Sequence, residues 1–123
     1  MTIKGTVGPM QTELEPSSWV VRFGDLIPEK TPVLDVACGN GRHTRLFLER
    51  GHSVTAIDID LSRVQDLTDS KNVELVQANL EDGSPWPFAN RTFGAVIITN
   101  YLYRPLFSSL IDSISPDGIL IYE

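Results

Sequence analysis

The chain has 123 residues, 41% of them hydrophobic and 21% charged, which is typical of one globular domain; its single cysteine, Cys38, excludes an internal disulfide. Its 16 acidic and 10 basic residues give a net charge of −6, which argues against a nucleic-acid partner. No apolar run could span a membrane, the N-terminus lacks a signal peptide, and the spacing of histidine and cysteine predicts no metal site, so we expect a cytoplasmic protein with no membrane partner.

Residues 1–15 show no apolar periodicity and are predicted to form a flexible N-terminal arm, which leaves residues 16–123 as the folded domain. Within that domain, helical and strand-like patterns alternate at short spacing. In chain order they are helix 17–27, strand 32–37, helix 42–50, strand 53–57, helix 61–67, strand 73–77, loop 81–92, strand 93–99, helix 105–114, turn 115–118 and strand 119–122. Ser17 or Ser18 can cap the first helix.

This alternation predicts an α/β fold with a Rossmann-like, doubly wound, mostly parallel sheet of about five strands. The run over 93–99 is almost entirely apolar, as a central parallel strand should be, and the helix over 105–114 should bury Leu106, Leu110 and Ile111. Right-handed crossovers bring the carboxyl ends of all the strands to one edge, where ligands of such sheets bind.

Two features at that edge suggest a nucleotide-like ligand. Gly39 and Gly41 follow the first strand and open a helix, so they allow a tight turn and a close approach of the ligand to the backbone. Asp58 ends the next strand, 17 residues after Gly41, where a carboxylate can accept both hydroxyl groups of a ribose.

Two classes of cofactor fit this arrangement. A dinucleotide site favours a third glycine where this chain has Thr44, and Asp35, just before the loop, would repel a pyrophosphate. An acid at that position suits a ligand with a positively charged group, such as an ammonium or a sulfonium. The two observations together favour S-adenosylmethionine over a nicotinamide dinucleotide.

At this point the sequence resembles the class I S-adenosylmethionine-dependent methyltransferases, in particular the small bacterial ones. Five ordered blocks from about Trp19 to Glu123 carry the resemblance: VLDVACGNGRHT, AIDID, VQANLEDGSPWPF, FGAVIITNYLY and SPDGILIYE. It implies that Asp35, Ala37, Gly39 and Gly41 hold the methionine end of S-adenosylmethionine, with Asp35 acting on the ammonium directly or through water. Asp58 would hold the ribose.

The resemblance also assigns the residues around the adenine and the methyl group. Ile59 would pack on the adenine, Asn79 stands where the family often has an aspartate that contacts the adenine amino group, and Leu80 would offer its backbone N–H. Asn100 would lie beside the methyl group. Tyr101 and Tyr103 would wall the acceptor pocket, and no residue stands out as a general base.

Members of this family usually continue past the fifth strand with a helix and a two-stranded hairpin. Without that hairpin, residues 119–122 would form an exposed apolar edge, so we expect a dimer or a strand-exchange assembly formed through that strand, or else a chain that is a fragment of a longer enzyme. The function implied is methyl transfer from S-adenosylmethionine to a small-molecule acceptor. The alternatives are a non-catalytic module that binds the cofactor or its product and, with less support, a nicotinamide-dependent oxidoreductase.

Overall fold

The structure is a computed structural model that describes the backbone of residues 2–4 and the whole of residues 14–123. Its strands are β1 (Thr2–Lys4), β2 (Val33–Val36), β3 (Val54–Asp58), β4 (Val73–Gln77), β5 (Phe93–Ile98) and β6 (Ile114–Tyr122). Its α-helices are α1 (Ser18–Gly24), α2 (Arg42–Glu49) and α3 (Phe107–Asp112), with 3₁₀ helices at Ser62–Leu67 and Arg104–Leu106. Among the described residues, no helix is both long and apolar enough to cross a membrane.

The six strands form one sheet in the order β1-β6-β5-β2-β3-β4, and every neighbouring pair is parallel. The predicted α/β fold and its five strands are therefore confirmed, and β1 adds a sixth. The chain builds outward in two directions from β2, first through β3 and β4 and then through β5 and β6. The change of direction between β2 and β5 creates the crevice at which ligands bind in doubly wound sheets.

The two central strands, β2 and β5, are buried along their whole length because helices or loops cover both faces of the sheet. On one face, Val20 of α1 and Phe47 of α2 pack against Ile97 and Ile121. On the other face, Phe88 and Leu110 belong to a second cluster. These two layers fix the position of the sheet edge at which the strands end.

Of the predictions made for the helices, one about a cap is confirmed and one about a buried face is partly wrong. The Ser17 hydroxyl caps α1 by accepting the backbone N–H of Trp19 at 3.2 Å, as the sequence indicates. In the helix predicted over 105–114, Leu106 and Leu110 are buried as expected, but the prediction that Ile111 is buried is wrong, since it is 61% exposed. At about 100° a residue, Ile111 lies about 140° around the helix from Leu106, whereas Leu110 lies only about 40° from it, so Ile111 is turned away from the buried face.

The turn predicted over 115–118 lies inside β6 as an irregularity of the strand. Phe93 pairs with Ile114 and Ala95 already pairs with Ile119, so the 115–118 segment bulges out of the ladder. A side chain on Gly118 would come within 2.5 Å of Ile114 Cγ2, which explains a glycine at this point.

The prediction that residues 119–122 form an exposed edge is wrong. Strand β1 pairs with β6, with Thr2 opposite Leu120 and Lys4 opposite Tyr122, so β6 has neighbours on both sides. Residues 2–4 belong to the segment predicted as a flexible arm, and residues 5–13 lie outside the described residues. Self-association stays a prediction, but an open β6 edge no longer supports it.

Candidate functional site

The loop between β2 and α2, residues 37–41, is called the glycine loop below, and its backbone turns sharply. Ala37, Gly39 and Gly41 all have positive φ, at 56°, 55° and 77°. A Cβ on Gly39 would meet only the Arg63 side chain, at 3.4 Å, so the surface above Gly39 is nearly free of protein atoms. The loop thus presents bare backbone at the sheet edge.

Gly41 has a different task from Gly39. It is the N-cap of α2, and a Cβ there would lie 2.6 Å from Val64 Cγ1, within the packed contact between α2 and the 3₁₀ helix Ser62–Leu67. Gly41 is therefore needed for packing and for the left-handed turn. At the start of α2, the Gly41 N–H donates to the Cys38 carbonyl at 2.9 Å and the Arg42 N–H donates to the Asn40 side-chain oxygen at 3.1 Å.

Asp35 lies beneath the glycine loop and is only 2% exposed. Its Oδ2 accepts a hydrogen bond of 2.7 Å from the Thr44 hydroxyl on α2. Burial raises the pKa of Asp35 to about 6, although the hydrogen bonds from Thr44 lower it. Asp35 thus fixes α2 to β2 and places negative charge under the loop, and Thr44, the departure from a third glycine, supplies the bond.

Asp58 connects the end of β3 to the glycine loop. Its Oδ2 accepts the backbone N–H of Gly39 at 2.8 Å, and its Oδ1 accepts that of Asp60 at 3.0 Å. The side chain is half-buried. A carboxylate has about four lone-pair positions, so each oxygen can accept another donor from a ligand. Asp58 is thereby held in place while remaining available.

Asp58 also lines a cleft of about 160 Å³ between the ends of β3 and β4. The cleft contains six of the eleven predicted site residues: Ala37, Asp58, Ile59, Asn79, Leu80 and Tyr101. Ile59 is 61% exposed and lines this cleft next to Asp58. An apolar side chain above a fixed carboxylate suits a ligand with a flat ring joined to a group rich in hydroxyls.

Asn79 and Tyr101 are tied to Glu81 at the rim of the cleft. The Asn79 side-chain oxygen accepts the Glu81 N–H at 2.9 Å, and the Tyr101 hydroxyl donates to Glu81 Oε2 at 2.9 Å. Burial, followed by the bond to Glu81, raises the pKa of Tyr101 to about 12, so its phenol stays protonated at neutral pH. The rim is held together by polar contacts.

The other two predicted residues, Tyr103 and Asn100, do not line this cleft. Tyr103 lines a neighbouring cleft of about 410 Å³ together with Asn79, Leu80 and Trp86. Asn100 follows β5, is exposed, and adopts a positive φ of 55°. Its backbone N–H donates to the Glu123 carbonyl at 2.9 Å.

His43 also lies at the edge of the sheet where the strands end, and it was not among the predicted site residues. His43, in the first turn of α2, is 2% exposed, and its Nε2 accepts the backbone N–H of Ser17 at 3.0 Å. Its Nδ1 lies 3.5 Å from the Thr99 hydroxyl. Burial lowers the pKa of His43 to about 3, so the ring is neutral, with its proton on Nδ1.

Glu123 was also missed, although it follows β6 as directly as Asp58 ends β3. Its backbone N–H donates to the Ile98 carbonyl at 2.9 Å, and both side-chain oxygens are shielded from solvent without a hydrogen-bond partner. Its position at the end of the last predicted strand was the signal that could have identified it.

Comparison with known proteins gives one family and several relatives. A family described as a methyltransferase domain matches residues 33–118, which include the glycine loop, Asp58 and Asn79. The Bacillus subtilis (strain 168) protein named "Putative methyltransferase YqeM" is 28% identical over 118 residues, covering 85% of this chain and 47% of the relative. The chain thus spans about half the length of that curated relative.

Solved structures agree on the fold. The glycopeptide N-methyltransferase MtfA, complexed with sinefungin, is 26% identical with a TM-score of 0.68, covering 94% of this chain and 58% of that one. Coclaurine N-methyltransferase, bound to N-methylheliamine and S-adenosylhomocysteine, is 20% identical with a TM-score of 0.67, covering 95% of this chain and 40% of that one. The second likeness shows the fold alone.

Proposed function

The chain belongs to the methyltransferase-domain family, and on that premise we propose that it binds S-adenosylmethionine and transfers its methyl group to a small-molecule acceptor. The observation that carries the proposal is Asp58, whose two oxygens are fixed by backbone N–H groups while its side chain lines an open cleft. The MtfA structures with sinefungin and with S-adenosylmethionine support the same choice of cofactor.

The residues around the cleft fit the parts of this cofactor. Asp58 would accept the two ribose hydroxyls, Ile59 would cover one face of the adenine, and Leu80 would offer its backbone N–H to the ring. Asn79 has its side-chain oxygen turned to Glu81, so its amide group remains the donor available at the rim. An adenine ring accepts such a donor at its ring nitrogens.

The glycine loop would hold the methionine end. The bare backbone at Gly39 admits a close approach of the ligand. Asp35 is buried beneath the loop and bonded to Thr44, so it would act on the ammonium through water or through its charge rather than by direct contact.

Bound S-adenosylmethionine would supply an electrophilic methyl group, so the protein has mainly to position the acceptor. Alignment of two reactants alone can account for several kcal/mol of the barrier. Asn100, with Tyr101 and Tyr103 next to it, lies where the acceptor would enter, and the net charge of −6 favours a small molecule over a nucleic acid. The N-methyltransferases among the structural relatives make an amine nitrogen a reasonable first choice of acceptor atom.

The test is calorimetric titration of the purified chain with S-adenosylhomocysteine, with NAD as a parallel control. We expect micromolar binding of S-adenosylhomocysteine and none of NAD. Binding of NAD alone would contradict the proposal and restore the oxidoreductase alternative, which has no support from the family. Binding of neither compound to the folded chain would reject the cofactor site.

A second measurement separates an enzyme from a binding module. The chain is incubated with S-adenosylmethionine carrying an isotopically labelled methyl group and a panel of amines, acids and phenols. Label in an acceptor supports methyl transfer. Tight binding of S-adenosylhomocysteine with no labelled product from any acceptor would favour the non-catalytic alternative.

A further inference from the structure

Among the described residues at this sheet edge, Glu123 is the carboxylate whose side chain makes no hydrogen bond. Both oxygens are shielded from solvent and neither has a hydrogen-bond partner. An uncompensated carboxylate is expensive to keep out of water, and a structural role would normally supply a partner. Such a group fits best where a ligand supplies the missing donor.

The backbone places Glu123 beside the predicted methyl-transfer point. Its N–H donates to Ile98 and its carbonyl accepts from Asn100, each at 2.9 Å, so Glu123 stands opposite Thr99 as the parallel ladder continues. Asn100 is the residue expected to lie beside the methyl group. The ladder therefore joins Glu123 directly to the loop on which the acceptor would rest.

Strand alternation also fixes the face on which the Glu123 side chain lies. Ile119 and Ile121 pack in the cluster that contains Val20 of α1 and Phe47 of α2, so Glu123, two residues later, lies on that face. By the same alternation, Thr99 follows Ile97 on this face, toward the first turn of α2. Glu123 is thus on the side of the sheet where α2 begins and the glycine loop ends.

The nearby histidine cannot compensate the charge. His43 reaches Thr99 from α2, but burial lowers its pKa to about 3 and leaves it neutral. Its Nε2 is already occupied by the Ser17 N–H. Arg42, the basic residue next to it, directs Nη1 to the carbonyl of Glu15 at 3.2 Å.

We propose that the Glu123 carboxylate forms a subsite, next to Asn100 and on the Thr99 side of the sheet edge, that binds the N–H donors of an amine-bearing methyl acceptor. The subsite rests on the proposed function, because it acts on an acceptor brought to the bound cofactor. A carboxylate accepts N–H groups from an ammonium or from a neutral amine. In the neutral amine, these bonds leave the nitrogen lone pair free to face the methyl group.

Two cofactor analogues serve as probes without knowledge of the acceptor. Sinefungin carries an amino group where S-adenosylmethionine carries its methyl group, whereas S-adenosylhomocysteine has nothing at that position. The ratio of the two affinities therefore reports whether a protein group that accepts hydrogen bonds faces the methyl-transfer point. Calorimetry on wild-type chain should show sinefungin binding about tenfold more tightly, as expected for a charge-assisted hydrogen bond.

The variant is Glu123→Gln, which keeps the size of the side chain and removes its charge. We expect it to bind S-adenosylhomocysteine as the wild type does and to lose most of the preference for sinefungin. Glu49→Gln is the matched control, since it makes the same change at an exposed position at the far end of α2 and should keep the preference. Glu123→Met, of similar volume, repeats the test should the glutamine variant not fold.

The outcomes separate the two proposals. Failure of wild-type chain to bind either analogue would reject the proposed function and the subsite with it. Normal binding of S-adenosylhomocysteine, together with an equal preference for sinefungin in wild type and Glu123→Gln, would overturn the subsite alone. A thermal unfolding midpoint that is unchanged or higher in Glu123→Gln would agree with a carboxylate kept for ligand binding, and a large decrease would point to a structural role.

Discussion

Removal of the Asp58 carboxylate tests the proposed cofactor site most directly. In Asp58→Ala, a ligand would lose the acceptor for its ribose hydroxyls, and the glycine loop would lose the bond from Gly39 N–H to Oδ2. A hydrogen bond to a charged group contributes about 1.5–3 kcal/mol. We therefore expect affinity for S-adenosylhomocysteine to fall by about 10- to 150-fold.

The same substitution should cost little in stability. The N–H groups of Gly39 and Asp60 would lose their acceptor, but both lie at a partly exposed edge where water can replace the carboxylate. We expect a decrease of about 1 kcal/mol in the free energy of unfolding, measured by urea denaturation. A loss of binding at such a small cost would then report on the ligand and not on the fold.

Asp60→Ala is the control. Asp60 lies two residues away, is exposed, and accepts the Ser62 N–H at 2.9 Å, so it also caps a turn. It does not line the cleft. Calorimetry should give near wild-type affinity for Asp60→Ala. Equal affinities in Asp58→Ala, Asp60→Ala and wild type would refute the assignment of Asp58 to the ribose.

Three further predictions concern stability, each measured by urea unfolding. Gly41→Ala should lower the free energy of unfolding by about 2–3 kcal/mol, because φ is positive and the new Cβ would clash with Val64. Gly83→Ala also has a positive φ but no neighbour within 4 Å, so it should lower the free energy of unfolding by only about 1 kcal/mol. Equal decreases in the two variants would contradict the packing role of Gly41. Burial raises the pKa of Asp35 to about 6, so the folded state favours the protonated acid; stability falls as pH rises from about 4 to 6, and Asp35→Asn should remove this loss of about 3 kcal/mol. Burial lowers the pKa of His43 to about 3, so its neutral ring contributes fully to the free energy of unfolding above pH 6.5, and this contribution falls as pH drops toward 3. His43→Gln should abolish that fall, and an unchanged decrease of stability at acid pH in the variant would contradict the prediction.

Local patterns were enough to predict most of the fold. The central strand β5 was found because strands covered on both faces are apolar throughout. The start of α1 was found because Ser17 satisfies the free N–H groups of the first turn with its own oxygen. Such signals lie within a few residues of the feature that they specify.

The errors arose where pairing depends on residues far apart in the chain. Strand β1 has three residues, too few to show a period of two, and only its pairing with β6 makes it a strand. The Pro-Asp-Gly run at 116–118 has the composition of a turn, but the pairs on both sides keep it within β6 as a bulge. In both cases the partner strand decides the outcome, and composition does not reveal the partner.

The candidate site divides in the same way. Asp58 could be predicted because it is an acid at the end of the second strand, 17 residues after Gly41, and the structure places it with Ile59 at one cleft. Asn79 and Leu80 line the same cleft, as predicted, because the parallel sheet brings the ends of β3 and β4 together. The burial of Asp35 could not be predicted, because it depends on how closely α2 and Thr44 cover the end of β2.

Asp58 and Glu123 show why sequence position alone does not distinguish the acids at this edge. Each stands at the carboxyl end of a parallel strand, yet Asp58 receives two backbone N–H groups and Glu123 receives no hydrogen bond at its side chain. The difference comes from the surrounding segments: the glycine loop donates its Gly39 N–H to Asp58, whereas no described residue donates to the Glu123 side chain. Because shielding without a partner disfavours the folded state, the ligand proposed at Glu123 would supply the donor that the fold does not.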